Sequence, residues 1–352
     1  METNFSSIQN ELKLQANSLA EQIVEMQYSA NPTYWNRFGA KGKLLSIRDA
    51  NYHIDYLSEA VGSNSPEIFT SYVAWVKQLF TGLRLEDDVM LKTLEVTRDV
   101  IQQKMPKEIV DIISPFIDAG IVELHKPILA SSSYISLSDP LGYLATSYTQ
   151  ALLSGDRRTA SKLIMDAIEK DTPIKSIYLN VFQQSQYEIG RLWLENKISV
   201  AKEHFCSAAT QQIMSQIYPL IFAQQRIGQS FVAANVGGEL HEIGIRMVAD
   251  FFEMDGWDTY YLGANAPASS IIAAIKENNA TMVGLSIAIP HHRTALKETI
   301  IQIKEATQGR VKVLIGGVAT NSSPKTLYEF QADGYAPDAQ GAVDMAKKLM
   351  EV

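Results

Sequence analysis

At 352 residues, with 46% apolar and 20% charged side chains, the chain has the length for two or three domains and the composition of an ordinary soluble protein. A formal charge of −8 argues against an extended nucleic-acid footprint, which needs clustered Lys and Arg. The single cysteine, Cys206, excludes an intramolecular disulfide framework and any cysteine-based zinc site.

The first residues are polar and carry no signal-peptide apolar core, and no apolar run reaches the ~18 residues of a membrane span, so a cytoplasmic location is expected. Residues 1–130 read as helical throughout. Leu44, Ile47, Ile54, Leu57 and Val61 form one apolar stripe, and Phe69, Val73, Val76, Leu79 and Phe80 form the next. Ser65-Pro66-Glu67 marks a helix start, with serine as cap and proline in the first turn. Further helices are expected from Glu86 to Gln103 and from Pro106 to about Ala119. With 12 Lys and Arg against 17 Asp and Glu, this segment is a poor candidate for DNA binding. Its aromatic residues (Tyr34, Trp35, Tyr52, Tyr56, Phe69, Tyr72 and Trp75) are expected to be mostly core.

Residues 127–140 are polar and turn-rich, with Pro127, the Ser131–Ser133 run, Ser136, Ser138 and Pro140, and are the expected linker. Four helices follow, at about 141–154, 156–169, 173–195 and 199–225. Their breaks are short, which implies an antiparallel four-helix bundle. From 230 the pattern alternates. Strands are expected from Ser230 to Ala234, Asp258 to Leu262, Met282 to Ile287 and Val311 to Ile315, with a last one near Gly334, and helices lie between them. That alternation predicts a doubly wound parallel sheet. The expected domains are thus an all-helical 1–130, a bundle at 139–228 and an α/β domain at 229–352.

The chemistry concentrates in Val236-Gly237-Gly238-Glu239-Leu240-His241-Glu242-Ile243-Gly244, a glycine-rich turn between a strand and a helix. A carboxylate two residues before His241 suits a metal ligand whose second ring nitrogen is held by an acid. After Gly244 come 41 residues (245–285) and then Ser286-Ile287-Ala288; a further 27 (289–315) lead to Gly316-Gly317. All three stretches fall at the carboxyl ends of expected strands, the edge where such sheets bind ligands.

At this spacing the three stretches resemble the cobalamin-binding domain shared by methionine synthase, corrinoid methyl carriers and base-off mutases, which implies a flavodoxin-like fold for 229–352. By that resemblance His241 is the lower cobalt ligand, in place of the cofactor's own nucleotide base, and Glu239 is its partner carboxylate. Gly244, Ser286, Gly316 and Gly317 then line the slot for the displaced nucleotide tail, and Leu240 is a further cofactor contact. Physical chemistry agrees: neutral imidazole is a good donor to cobalt, a carboxylate behind it raises its basicity, and glycines let a bulky group approach backbone. The chain departs from the family pattern twice. Glu239 stands where aspartate is usual, and Ala288 ends the Ser-x-Leu or Ser-x-Thr position; neither removes an essential atom type.

In the bundle, Trp193 is followed nine residues later by Glu203-His204. That pattern resembles the adenosylcobalamin photoreceptors of the CarH type. The resemblance implies an indole wall for the adenosyl group and hydrogen bonds from Glu203 and His204. CarH-type proteins carry a histidine directly after the tryptophan. Leu194 stands there in this chain, so His204 is the first substitute to test as upper ligand after light, with an aquo product as the alternative. The basic winged-helix domain of those repressors is replaced by an acidic helical segment, so direct DNA binding is not expected. Instead the run from Arg48 to Leu57, then Ser65-Pro66 and Phe69-x-x-Tyr72-Val73-x-Trp75, resembles the N-terminal domain of stand-alone cobalamin sensors, photocobilins included. This implies either a pocket for biliverdin or another bilin, held noncovalently by Asp49 and His53, or a protein-docking domain. His125 and the pair His291-His292 are expected at the surface.

The function these resemblances imply is an adenosylcobalamin-dependent light sensor without enzymatic activity. Co–C photolysis would shift the bundle against the sheet and alter self-association or docking to a signalling partner. The alternative is a corrinoid methyl carrier of a methyltransferase system.

Overall fold

The computed structural model describes residues 4–86, 88–128, 132–222, 225–320 and 326–350; Ser131 of the expected linker lies outside them, as do Ala223 and Gln224 at the end of the fourth bundle helix. The chain divides into two compact units, one built from residues up to 130 together with Leu194–Asn196, the other from the rest.

The first unit is all helical: α1 (Phe5–Ala30), α2 (Pro32–Trp35), α3 (Gly39–Gly62), α4 (Pro66–Gly82), α5 (Val89–Lys104) and α6 (Lys107–His125). Leu12, Leu19 and Ile23 of α1 share a core with Ile54, Leu57 and Val61 of α3 and with Phe69 and Val73 of α4. The expected stripe on α3 starts too early: Leu44 is exposed, and the buried face begins at Ala50. Ser65 occupies the N-cap of α4, but its hydroxyl bonds the Glu67 carboxylate and not a free amide. Helix α6 runs through Pro115 to His125, past the expected stop, because Val110, Ile113, Phe116 and Ile117 bury one face across the proline and offset the one amide it removes.

Asp49 and His53, the two side chains expected to meet a bilin, both lie on α3. His53 is 6% exposed and its Nδ1 is hydrogen-bonded to the Tyr72 hydroxyl at 2.7 Å. Burial pushes its pKa down to about 4, which makes it a neutral core histidine. Asp49 sits on the surface, paired with the neighbouring Arg48.

The second unit begins with α7 (Gly142–Ser154) and α8 (Arg157–Glu169). The third bundle helix is α9 (Ile174–Ile177), a five-residue π-helical segment (Tyr178–Phe182), and α10 (Gln183–Leu194). Within it the Gln183 amide bonds the Tyr178 carbonyl, five residues back. That extra residue lets Tyr178 and Phe182 enter the core while Gln183, Gln186 and Tyr187 turn to another face. The last bundle helix is α11 (Val200–Ile221), whose N-terminus is capped by the Ser199 hydroxyl accepting from the Lys202 amide at 3.2 Å.

Five strands follow: β1 (Ser230–Val236), β2 (Asp258–Ala266), β3 (Met282–Ser286), β4 (Lys312–Gly316) and β5 (Gly334–Tyr335), all parallel, in the order β2-β1-β3-β4-β5. The helices between and after them are α12 (Ile243–Met254), α13 (Ala268–Glu277), α14 (Arg293–Thr307), α15 (Thr326–Phe330) and α16 (Ala339–Met350). The fold is thus helical bundle plus doubly wound sheet. Phe231 and Ala233 of β1 pack with α12, α16 and the bundle, whereas Val232 and Ala234 pack with α13 and α14 on the other face. The chain leaves β1 toward one edge and returns on its other side at β3, which makes the β1/β3 boundary the topological switch point.

The bundle is fastened to α12 partly through a buried acid. Asp250 accepts a hydrogen bond from the Tyr178 hydroxyl at 2.7 Å and is 3% exposed. Burial raises its pKa to about 6, against the opposing pull of Tyr178 and Arg246. Because the folded value lies above the ordinary 3.8, this group's stabilising contribution is complete below pH 3.8 and is lost as pH rises through 6. Asp250→Asn keeps an acceptor for Tyr178 without the charge. It is expected to raise the stability of this unit at pH 7 by about 1–3 kcal/mol and to leave it unchanged near pH 4, read by denaturant unfolding at both values.

Candidate cofactor site

The turn after β1 holds its histidine through one carboxylate. Glu239 is fully buried, and both its oxygens are used. Oε1 accepts from the His241 ring Nδ1–H at 2.6 Å and from the His241 amide at 2.9 Å. Oε2 accepts from the amides of Ala288 and Ile289 at 2.7 and 3.1 Å. Burial pushes the Glu239 pKa up, but these donors outweigh it and hold the carboxyl at about 2. The same hydrogen bond to Glu239 raises the His241 pKa above its ordinary value, against burial. With Nδ1 committed to Glu239, Nε2 is the nitrogen left to act as donor. The two departures from the family pattern have a common explanation here. Glutamate is long enough to bridge the His241 turn to the loop after β3, and that loop contributes backbone amides, so the side chain of Ala288 is not needed.

His241 opens onto a cavity of about 550 Å³, within the usual range of small-molecule sites. The sheet side of its wall carries Leu240, His241, Gly244, Ser286, Gly316 and Gly317, so the structure brings together all of the lower-face residues singled out in the sequence except Glu239, which stands behind His241. Its wall also carries small and apolar groups, among them Phe231, Leu314, Ala339 and Ala342. The bundle side is polar. Glu203 and His204 line it, with His204 Nδ1 bonded to the Glu203 carboxylate at 2.6 Å and the Ser207 hydroxyl donating to the same carboxylate at 2.8 Å. Trp193, in the last turn of α10, is not among the residues that line this cavity.

Several wall residues escaped the sequence reading. Gln183, Gln186 and Tyr187 fall at i, i+3 and i+4 just after the π-helical segment, a spacing that marks one helix face. Gln211 donates to Glu242 at 3.2 Å and so ties the bundle wall to the His241 turn. His292, expected at the surface, is 8% exposed and lies against Gly238; burial lowers its pKa to about 4. His125 is exposed.

The fit to a base-off cobamide follows from the donor set. Among the described residues no group of three His, Cys, Asp or Glu is arranged to hold a metal ion. An imidazole such as that of His241 would suit a metal whose other positions are filled by a macrocycle of its own. A β-carbon placed on Gly244 meets nothing within 4 Å, so this stretch of wall keeps open space beside His241. The residues present fit the group. Among the described residues no helix is long and apolar enough to cross a membrane.

Comparison with known proteins agrees. Residues 229–344 match the B12 binding domain model, and residues 144–218 match a second model of the same description. A corrinoid protein of Desulfitobacterium hafniense is 26% identical over 57% of this chain and 94% of its own length. Dimethylamine corrinoid protein 2 of Methanosarcina mazei is 28% identical over 47% of this chain and 74% of its own. The monomethylamine corrinoid protein of Methanosarcina barkeri has the same fold, with a TM-score of 0.54 at 17% identity, over 60% of this chain and all of that one. These relatives overturn the light-sensor reading, because they are corrinoid proteins, in keeping with the methyl-carrier alternative. The matches place residues 144–218 and 229–344 of this chain in the B12-binding domain family.

Proposed function

We propose that this chain is a corrinoid methyl carrier serving a methyltransferase system, a partner of enzymes and not itself a catalyst. The observation that carries this reading is His241, backed by the buried Glu239 carboxylate and opening onto a glycine- and serine-lined cavity at the carboxyl edge of the sheet, in a chain whose relatives are corrinoid proteins. His241 would hold the cobalt through Nε2, and Glu239 fixes its tautomer and orientation. Gly244, Ser286, Gly316 and Gly317 line the slot for the nucleotide tail, with Leu240 at the rim. Residues 229–352 hold the cofactor and residues 139–228 cover its upper face, where Glu203 and His204 stand with the amides of Gln183 and Gln186. Residues 1–130 act as a docking domain for a protein partner. When bound, the cofactor's cobalt supplies the centre that accepts a methyl group and gives it up. The chain supplies orientation from below and a polar cap above; a methyl group asks for less room there than an adenosyl group.

The test is reconstitution. One cobalamin per chain, a preference for methyl- over adenosylcobalamin, and transfer of the methyl group to a thiol or tetrahydrofolate acceptor when a methyltransferase is added are the expected results. Failure to bind cobalamin, or tight binding with no methyl transfer to either acceptor, would overturn the proposal.

A further inference from the structure

The carboxyl end of β1 carries a polar group that the fold leaves unused. Asn235 is fully buried, and neither its Oδ1 nor its Nδ2 has a hydrogen-bond partner among the described residues. A buried amide with both ends unpaired is destabilising and rare in folded proteins, and calls for an explanation. Its neighbours along the strand (Val232, Ala233, Ala234 and Val236) are apolar, as a parallel strand covered on both faces requires. Local packing therefore gives no reason for an asparagine here.

Its position in the sheet does. Strand alternation puts Asn235 on the face of Phe231 and Ala233, which pack with α12 and α16, and not on the opposite face with Val232, Ala234 and Val236. Across the sheet Asn235 is in register with Ser286 of β3, and Ser286 with Gly316 of β4. Phe231, Ser286 and Gly316 all line the cavity. Asn235, Ser286 and Gly316 thus form one row over three strands, at the edge where the switch point lies. The geometry points to Asn235 as a hydrogen-bonding residue for the nucleotide tail of the bound cobamide. This assignment rests on the reading that the slot takes that tail. An amide offers a donor and an acceptor together, and the phosphate and ribose hydroxyls of the tail offer the complements. Asn235 has no exposed surface of its own and does not line the cavity, so contact with the tail would require its neighbour in register, Ser286, to give way. The asparagine is then kept for binding, at a cost to the stability of the free protein.

The experiment compares cobalamin with cobinamide, which has the corrin but lacks the nucleotide tail, on the full chain and on Asn235→Leu and Asn235→Ser. Affinities come from absorbance titration and stability from thermal melting of the cofactor-free protein. Asn235→Leu is expected to melt about 2–4 °C higher, to bind cobalamin about tenfold more weakly, and to bind cobinamide as the parent does. Asn235→Ser, which keeps a donor and acceptor, is expected to retain part of the preference for cobalamin. The ratio of the two affinities stays readable even if a variant is less stable, because cobinamide binding reports the folded fraction. An unchanged ratio in Asn235→Leu, or equal losses for both corrinoids, would overturn the assignment of Asn235. A parent chain that binds cobalamin no more tightly than cobinamide would overturn the slot reading first, and Asn235 with it.

Discussion

His241→Ala is expected to cost more than the about 10–100-fold in cobalamin affinity that losing the outer partner of a metal ligand brings, and to abolish the nitrogen-ligated absorption spectrum. The structure gives two reasons. The ring supplies the donor, and it also donates to Oε1 of the buried Glu239, so its removal leaves a carboxylate at about pKa 2 short of a partner. The cofactor-free protein is therefore expected to lose about 1–3 kcal/mol as well. Glu239→Gln is expected to fall within that 10–100-fold range. Its Oε1 can still accept from His241, but its NH2 then faces the Ala288 and Ile289 amides, donor against donor, and the turn loses its tie to the loop after β3. Trp193→Ala is expected to leave corrin binding largely intact, because Trp193 does not line the cavity. Equal losses in His241→Ala and Trp193→Ala, measured by absorbance titration, would mean that the two faces of the site are assigned wrongly.

The parts of this molecule that were legible in the sequence are those set by local pattern. Phe231–Val236 and Met282–Ser286 are buried along their length, and a strand covered on both faces reads as a near-continuous apolar run, interrupted here at Asn235 and Ser286. The far end of β2, residues 263–266, was missed because Gly-Ala-Asn-Ala is no apolar run and carries positive φ at Gly263 and Asn265, the marks of a turn. The π-helical segment leaves no trace in composition, yet it decides that Gln183, Gln186 and Tyr187 reach the cavity. His292 was misjudged for a related reason. Its burial comes from Gly238, 54 positions away in the chain, whose missing side chain makes room for the ring. His241, Ser286 and Gly316 could be gathered from the sequence because each stands at the carboxyl end of a strand, so one sheet edge brings them to a common wall.

Gly244 and Gly317 should separate space kept for a ligand from space needed by the fold. Gly317 has φ +94°, and a β-carbon on it would lie 2.2 Å from the Ile287 carbonyl oxygen and 2.8 Å from Ser286 Oγ. Backbone must move to admit even alanine, so Gly317→Ala is expected to destabilise the cofactor-free protein by about 2–4 kcal/mol and to lose cobalamin binding with it. Gly244 has ordinary helical backbone in the first turn of α12 and nothing within 4 Å of an added β-carbon. Leucine there improves on glycine as a helix former by up to about 1 kcal/mol, so Gly244→Leu is expected to melt no lower than the parent. Its side chain would project into the cavity beside His241, and cobalamin affinity is expected to fall by more than about tenfold. Retained affinity in Gly244→Leu would show that the open space in front of this glycine is not where the cofactor sits, whatever Gly317→Ala does.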